Sequence, residues 1–502
     1  MENFASTLDY HADRRPDKVV LTNSESTVTN AELLRRVNAL AAGLLELGVK
    51  RGDIVALLLP NCLEFLEAVY AVNRIGAAFL PINIRLAPAE WEYILANSEA
   101  TAMVAAAEFV PDLEPVLPQP IGRIVVGPTV ENWLDYAEIV DSRLGTQIPV
   151  VDVEAGALQR LMYTSGTTSR PKGVCISHAN LFAKNLGLII EFGLTDQDVT
   201  AVAGPLYHVG ALDMGGLATL HAGGSLVLQP RFEARGLIEL MERSRATTVW
   251  LAPAMVNALL QDDRLGQADL TSLRVIMSGG EKMPEARLKQ ILDLLPAVWF
   301  ADAYGLTETV SSDTFLPQAF MHAKLGSVGK PLPHHRVRVG DERGVDVPAG
   351  TVGEVLIRGP KVFSGYWRDP EATRQAFVDG WFRSGDLGRL DDDGFLYIED
   401  RKKDMIVSGG ENIATPEVER VLYEHPDIVE VAVVGHPDER WGEVPHAFIA
   451  VRPGSELTAA DVVEFCRGRL AKFKIPAYTT IVSELPRTAS GKVIKRELRR
   501  SQ

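Results

Sequence analysis

The chain has 502 residues, 46% apolar and 23% charged, an ordinary globular composition that excludes disordered, collagenous and coiled-coil proteins. Lys plus Arg number 51 against 66 Asp plus Glu, a formal net charge of −15. That balance disfavours sequence-independent binding to nucleic acid or to an anionic membrane surface. At roughly 100–200 residues per domain, the length predicts about two to four domains or subdomains, with a core that needs no disulfide staples.

Residues 1–18 mix charge and polarity and lack the apolar core of a signal segment. No run reaches about 18 uninterrupted apolar residues, and residues 500–502 carry no familiar address signal. Cys62, Cys175 and Cys466 lie far apart without a CxxC pair, so neither a disulfide framework nor a zinc site is readable. A cytoplasmic protein with reduced thiols is expected.

Along the chain, residues 53–60 (DIVALLLP) read as a buried strand, 63–74 as a helix and 77–82 as a second strand. Strand-like runs recur at 199–203, 225–229, 247–251 and 273–278 with helical patterns between them, which predicts an α/β fold with largely parallel sheets. From about residue 326 the runs shorten (337–339, 353–358, 395–398) and Gly, Pro and Asp turns separate them, as in a small β subdomain. The triple aspartate at 391–393 precedes Gly394 without the ligand spacing of a calcium loop, so a hairpin turn is expected. After Arg401 a compact α+β unit follows, with helices near 416–425 and 461–470 and strands near 428–435 and 447–451.

Four motifs carry chemistry. Residues 163–173 (YTSGTTSRPKG) hold five Ser/Thr hydroxyls, two glycines and a lysine. Such a loop can wrap phosphate oxygens with N–H groups and hydroxyls, with Lys172 as a point charge. It lacks the spacing of a Walker A loop. In residues 304–308 (YGLTE) an aromatic face and a carboxylate share one short turn; a carboxylate beside phosphates makes sense with a bridging Mg²⁺. Asp386 (GWFRSGDLG) and Arg401 (YIEDRKKD) could bind a ribose. Lys492 (PRTASGKVIK) could bring an ammonium into a distant site. Taken singly, the bland alternatives are a polar loop, a helix start, a salt-bridged turn and a basic tail.

In this order and at these intervals, the four motifs resemble the adenylate-forming superfamily of acyl-CoA synthetases, stand-alone adenylation domains and firefly luciferase. The likeness covers nearly the whole chain. It implies an N-terminal domain (1–400) of two mainly parallel α/β subdomains plus a small β subdomain (about 326–400). A hinge (401–403) and a small mobile α+β C-terminal domain (404–502) would follow. The implied reaction is ATP-dependent activation of a carboxylic acid as acyl-AMP, with release of pyrophosphate and then transfer to CoA. ATP, Mg²⁺ and CoA are the implied cofactors. A carrier-protein thiol is the alternative acceptor, although no carrier domain follows Lys492, and a homodimer is a further implied partner state. A light-emitting oxygenase and a non-catalytic nucleotide sensor are the readings from other classes.

Residue by residue, the resemblance implies a phosphate loop at Thr164, Ser165, Gly166, Thr167, Thr168, Ser169 and Lys172. It implies phosphate and Mg²⁺ contacts at Thr307 and Glu308, with Thr164 as a second metal contact. Adenine would lie near Gly280, Glu281, Asp302, Ala303, Tyr304 and Gly305, with Tyr304 stacking, and the ribose on Asp386 and Arg401. Lys492 would bridge the substrate carboxylate and α-phosphate. Lys403 would be the hinge residue, and Ser408, Gly409, Gly410, Glu411 and Trp441 would face CoA; core packing is the plain alternative for Trp441. The acyl pocket would be formed by Tyr207, His208, Val209, Leu212, Met214, Met255, Val256, Ser278, Gly279 and Gly305, with His208 gating the carboxylate. Val209 stands where amino-acid-activating members place an Asp, which argues against an α-amino acid, with Asp213 left as another candidate partner for an ammonium. The apolar lining implies a fatty, aryl, cinnamic-like or polycyclic acid. Ser169, Glu281 and the Ala414–Thr415 pair depart from the family pattern.

Overall fold

The computed structural model describes residues 3–164, 171–401, 404–408, 411–438, 440–467, 469–488 and 492–500, with the side chains of 411 and 412 left aside. Ser165, Gly166, Thr167, Thr168, Ser169, Lys403, Gly409 and Gly410 therefore lie outside the described residues, and Glu411 is known by its backbone alone.

Two largely parallel sheets form the bulk of the N-terminal part. One runs Leu134–Asp135, Gly122–Val126, Ala102–Ala106, Ile54–Leu58, Ala78–Pro81, Leu158–Thr164, Lys172–Ser177. The other runs Lys330–Pro331, Thr314–Phe315, Trp299–Tyr304, Val275–Gly279, Thr248–Leu251, Val199–Val202, Ser225–Leu228, Val19–Thr22, Thr27–Thr29. Ile54–Leu58 and Ala102–Ala106 are buried at every position, as expected of parallel strands covered on both faces. The apolar run at 63–74 becomes the helix Leu63–Arg74, and one shared core joins it to residues of the second sheet. The helix Asn30–Glu46 starts on a reciprocal Thr29–Glu32 capping box.

The expected β subdomain is an antiparallel sheet of Arg336–Gly340, Gly353–Arg358, Trp381–Leu390, Phe377–Val378 and Leu396–Arg401. The triple aspartate forms the hairpin turn between its last two strands, with Gly394 at φ +78 and Lys324 held between Asp391 and Asp393. The C-terminal unit has its own sheet and its own core around Ile406, Val433 and Ile449. Its helices Thr415–Leu422 and Ala459–Cys466 both end earlier than the periodicity suggested. Among the described residues, no helix is long and apolar enough to cross a membrane.

The second sheet positions the site. Val199–Val202, Thr248–Leu251, Val275–Gly279 and Trp299–Tyr304 run parallel and in register, with Ser278 beside Asp302 and Gly279 beside Ala303. Their carboxyl ends therefore open on one edge, where parallel α/β sheets present ligand-binding loops.

Candidate active site

The loops at those carboxyl ends bring most of the expected residues together. After Trp299–Tyr304, the Tyr304 hydroxyl donates to Asp386 Oδ2 at 2.8 Å. Asp386 is buried and pairs across the β subdomain with Arg401, whose Nε lies 3.6 Å from Asp386 Oδ1. Asp302 is also buried, which pushes its carboxyl up to about 7. Gly280 sits at φ +103, a conformation that a side chain would strain. A Cβ there would stand 3.4 Å from Lys492 Cε, in ordinary contact, so it is the backbone conformation that calls for glycine.

Lys492 is where the charges meet. Burial lowers its ammonium to about 8, Arg401 adds to the lowering, and Glu281, Asp386 and Glu308 oppose it. His208 feels the same ammonium: burial, then Lys492, holds its imidazole down at about 3, so it stays neutral. Glu308 lies in the short helix Thr307–Thr309, and burial raises its carboxyl above the ordinary range. One lysine on the C-terminal unit is thus coupled to acids and a histidine from several loops of the N-terminal part.

Three features of this site escaped the sequence reading. Tyr366 donates its hydroxyl to Glu308 Oε1 at 2.9 Å, and its ring lies 5.0 Å from Lys172 Nζ. Lys361 is the second. Just after Glu308, Val310, Ser311 and Ser312 all take left-handed backbone, at φ 53, 59 and 57, a costly run for residues with side chains. Buried Lys361 holds it, donating to Thr309 O at 2.8 Å, Ser311 O at 2.6 Å and Asp313 Oδ1 at 2.5 Å. His335 also meets Asp313, at 2.7 Å. The third is Glu281, whose partners are on the C-terminal unit: Val493 N–H at 2.6 Å and Arg487 at 3.8 Å. Its departure from the family pattern was the one signal in the sequence; nothing flagged Tyr366 or Lys361.

Thr164 and Lys172 face each other at the neck of the hairpin joining Leu158–Thr164 to Lys172–Ser177. Trp367 and Phe363 tie this hairpin and Glu308 to one segment, through Gly173 O and Glu308 O, each at 2.7 Å. Among the described residues no cluster of three or more His, Cys, Asp or Glu could hold a metal alone. Glu308 is instead a single carboxylate suited to a hard cation carried on phosphates, and Lys172, on the other side of Tyr366, is suited to the phosphates themselves.

The acyl-pocket candidates gather around the π-helix Gly210–Leu217, which contains Leu212 and Met214. Tyr207, Val209, Met255, Val256 and Ser278 are buried beside them, and Gly279 approaches Ala303 so closely that a Cβ would meet its carbonyl at 2.7 Å. The Ser278 hydroxyl is buried without a partner among the described residues, and so is the indole N–H of Trp250 on the opposite face of the sheet. Gly305 lies against the Ser312 backbone. Asp213 points elsewhere: fully buried, it binds Arg160 at 2.5 Å and Lys184 at 3.2 Å. Two cations already neutralise it, so it is not an open partner for a substrate ammonium.

On the C-terminal unit, Ser408 pairs with Gly442. Trp441 is exposed, with Arg440 over its ring at 4.7 Å, which removes the core-packing alternative. Thr415, from the departing Ala414–Thr415 pair, is buried at the joint. It donates its N–H and hydroxyl to Asp400 at 2.9 and 3.0 Å and accepts from Lys495 at 2.6 Å.

Comparison with known proteins matches residues 8–367 to the AMP-binding enzyme family and residues 417–492 to the AMP-binding enzyme C-terminal domain. The chain is 38% identical to a feruloyl-CoA synthase of Amycolatopsis, over 97% of this chain and 96% of that one. It is 36% identical to an indoleacetate–CoA ligase of Aromatoleum aromaticum, over 98% and 96%. Among solved structures, the anthranilate CoA ligase AuaEII in complex with anthranoyl-AMP superposes with a TM-score of 0.93 at 29% identity, covering 100% of this chain and 97% of that one.

Proposed function

The chain belongs to the AMP-binding enzyme family, and from that premise we propose that it is an ATP-dependent acid–CoA ligase acting on a hydrophobic, aromatic carboxylic acid. The observation that carries this reading is the convergence of Tyr304, Asp386 and Arg401 with the segment bearing Lys492, which the Glu281–Val493 bond holds against the N-terminal unit. The named relatives, a feruloyl-CoA synthase and two ligases of indoleacetate and anthranilate, support an aromatic acid. So does the shared apolar core of Tyr207, Leu212, Met214, Met255 and Val256, with the unpartnered Ser278 hydroxyl available to a polar ring substituent.

In the first half-reaction, a substrate carboxylate oxygen bonds to the α-phosphorus of ATP as the bond to the pyrophosphate oxygen breaks. Two anions must meet, so fixed positive charge lowers the barrier. The Lys492 ammonium would lie between carboxylate and α-phosphate, with Lys172 on the leaving phosphates. Glu308 would hold a magnesium ion carried on the ATP phosphates, which would offset their charge. Asp386, oriented by Tyr304, would accept from the ribose hydroxyls. Neutral His208 would position the carboxylate without competing for it as a second cation. In the second half-reaction the CoA sulfur bonds to the acyl carbon, the thiol proton passes to solvent, and the acyl–oxygen bond breaks with its electron pair leaving on the AMP phosphate. Lys492 is then no longer needed. The C-terminal unit would turn about Lys403 to present the face bearing Ser408 and Trp441, a hinge motion that reuses one cleft.

The test is pyrophosphate release over aryl, aryl-alkenoic and fatty acids, each with and without CoA, with the thioester followed separately. Release with aromatic acids and a CoA-dependent thioester is expected. Release without thioester would move the acceptor to a carrier protein, and release confined to fatty acids would overturn the substrate class.

A further inference from the structure

Lys492 stands on a hairpin. Arg487 and Val493 pair as an isolated antiparallel bridge. Thr488 N–H donates to Lys492 O at 2.6 Å, and Ile494 N–H donates to Pro486 O at 2.7 Å. Lys492 N–H returns a bond to Thr488 Oγ1 at 3.0 Å. The catalytic candidate is therefore fixed one residue inside a closed neck.

A single carboxylate from the N-terminal unit grips both strands of that neck. Glu281 Oε1 accepts the Val493 N–H at 2.6 Å, and Oε2 lies 3.8 Å from Arg487 Nη1. Arg487 is itself anchored in its own unit, through Nη2 to Glu430 Oε1 at 2.7 Å. Glu281 directly follows Gly280, the residue against which the Lys492 chain rests. Two adjacent residues of one loop thus meet both the stem and the side chain of the hairpin.

We propose that Glu281 is a positioning residue for acyl-AMP formation: its carboxylate latches the Lys492 hairpin onto the N-terminal unit and releases it for thioester formation. The proposal rests on the ligase reading above. A carboxylate that accepts an N–H while facing a guanidinium makes charge-assisted contacts, stronger than neutral ones. Both contacts cross the boundary between the units, so they exist only while the hairpin is docked. An interaction made in one of two arrangements shifts the balance between them by its differential strength. Alanine at 281 removes both contacts. Glutamine keeps an oxygen for Val493 and loses the charge that faces Arg487.

The test measures the half-reactions separately in Glu281→Ala, Glu281→Gln and Arg487→Ala. One follows pyrophosphate release from ATP and acid; the other follows thioester formation from supplied acyl-AMP and CoA. Losing both contacts, of which the Val493 N–H to carboxylate is the hydrogen bond, should lower the kcat of pyrophosphate release about tenfold in Glu281→Ala. Glu281→Gln should fall between it and the parent, and Arg487→Ala should move in the same direction. Thioester formation from acyl-AMP should hold or rise, because undocking now comes more easily. Equal losses in both half-reactions would overturn the latch, and so would a loss carried by the KM for ATP alone, which would make Glu281 an adenine contact. Absence of both half-reactions in the parent chain would overturn the ligase reading and the latch with it.

Discussion

Tyr366 donates its hydroxyl proton to Glu308 Oε1 at 2.9 Å. The same ring lies 5.0 Å from Lys172 Nζ, so one tyrosine spans the expected anchor for magnesium and the expected cation for the phosphates. In Tyr366→Phe the ring remains beside Lys172 and only the bond to Glu308 is lost. A hydrogen bond to a charged group contributes about 1.5–3 kcal/mol. Pyrophosphate release should therefore fall at least about tenfold at fixed magnesium. The loss should shrink as magnesium is raised, because the freed carboxylate still binds the cation but is no longer aimed. A magnesium titration of both proteins checks this, and parallel curves would count against it.

The Lys492 ammonium is lowered to about 8, chiefly by burial and next by Arg401. Acyl-AMP formation uses the charged form. The kcat/KM of that half-reaction should fall as pH rises through about 8 in the free enzyme, while thioester formation from supplied acyl-AMP should lack this limb. Lys492→Arg keeps the charge, so it should be slower yet free of the alkaline limb. The sign for stability runs the other way. The folded-state value lies below the ordinary 10.5, so the folded chain binds fewer protons than the unfolded one between the two. The cost of burying this lysine is full below about 8 and is relieved as pH climbs from there towards 10.5. A pH–rate profile of each half-reaction, with melting curves alongside, reads both effects.

Much of this organisation was legible in the sequence because periodicity reports burial. The run at 63–74 became the helix Leu63–Arg74, and the run at 353–358 became the strand Gly353–Arg358. Ends were read less well. The helix expected over 416–425 runs Thr415–Leu422, so its start was read to within one residue and its end three residues late. Motif residues such as Asp386, Tyr304 and Lys492 converge because a strand of the β subdomain and a segment of the C-terminal unit both meet the carboxyl edge of the second sheet. Lys361 and Tyr366 were invisible for a different reason. Each works through a partner far away in the chain, Asp313 and Glu308, and a lone Lys or Tyr in a loop carries no local pattern. The π-helix Gly210–Leu217 likewise has no periodic signature in eight residues.

Asp213, Arg160 and Lys184 are fully buried together behind the acyl-pocket candidates. Burial lowers Lys184 to about 8 even beside its carboxylate, so the cluster already holds charge at a cost. Asp213→Asn removes the anion and leaves two cations without a counter-charge. Breaking a buried ion pair from one side costs about 3–5 kcal/mol. A large drop in melting temperature is expected, accompanied by loss of both half-reactions. Because Lys184 would then shed its proton more readily, the drop should be smaller at pH 9 than at pH 7. An unchanged melting temperature would show that the cluster is not under electrostatic load.

Lys361 offers the converse case, because its neighbour can take over part of its charge. It holds Thr309 O, Ser311 O and Asp313 and so braces the left-handed run beside Glu308. Lys361→Met keeps the aliphatic volume and deletes the cation, leaving Asp313 with His335 and Thr309. His335 is now held below its ordinary value by burial and then by Lys361, with Asp313 acting against them. Without Lys361 its value rises, and a protonated His335 can balance Asp313. Because the variant's His335 takes up its proton at a higher pH than the parent's, the gap in stability between the two proteins narrows as pH falls. The variant should therefore be destabilised by about 3–5 kcal/mol at pH 8 and recover part of that at pH 6. Pyrophosphate release should stay low at both, since the bonds to Thr309 O and Ser311 O are gone whatever the charge on His335. Melting curves at the two pH values decide the electrostatic half of the argument, and the half-reaction decides the positional half: full activity at pH 6 would mean that only the charge, and not the brace, mattered.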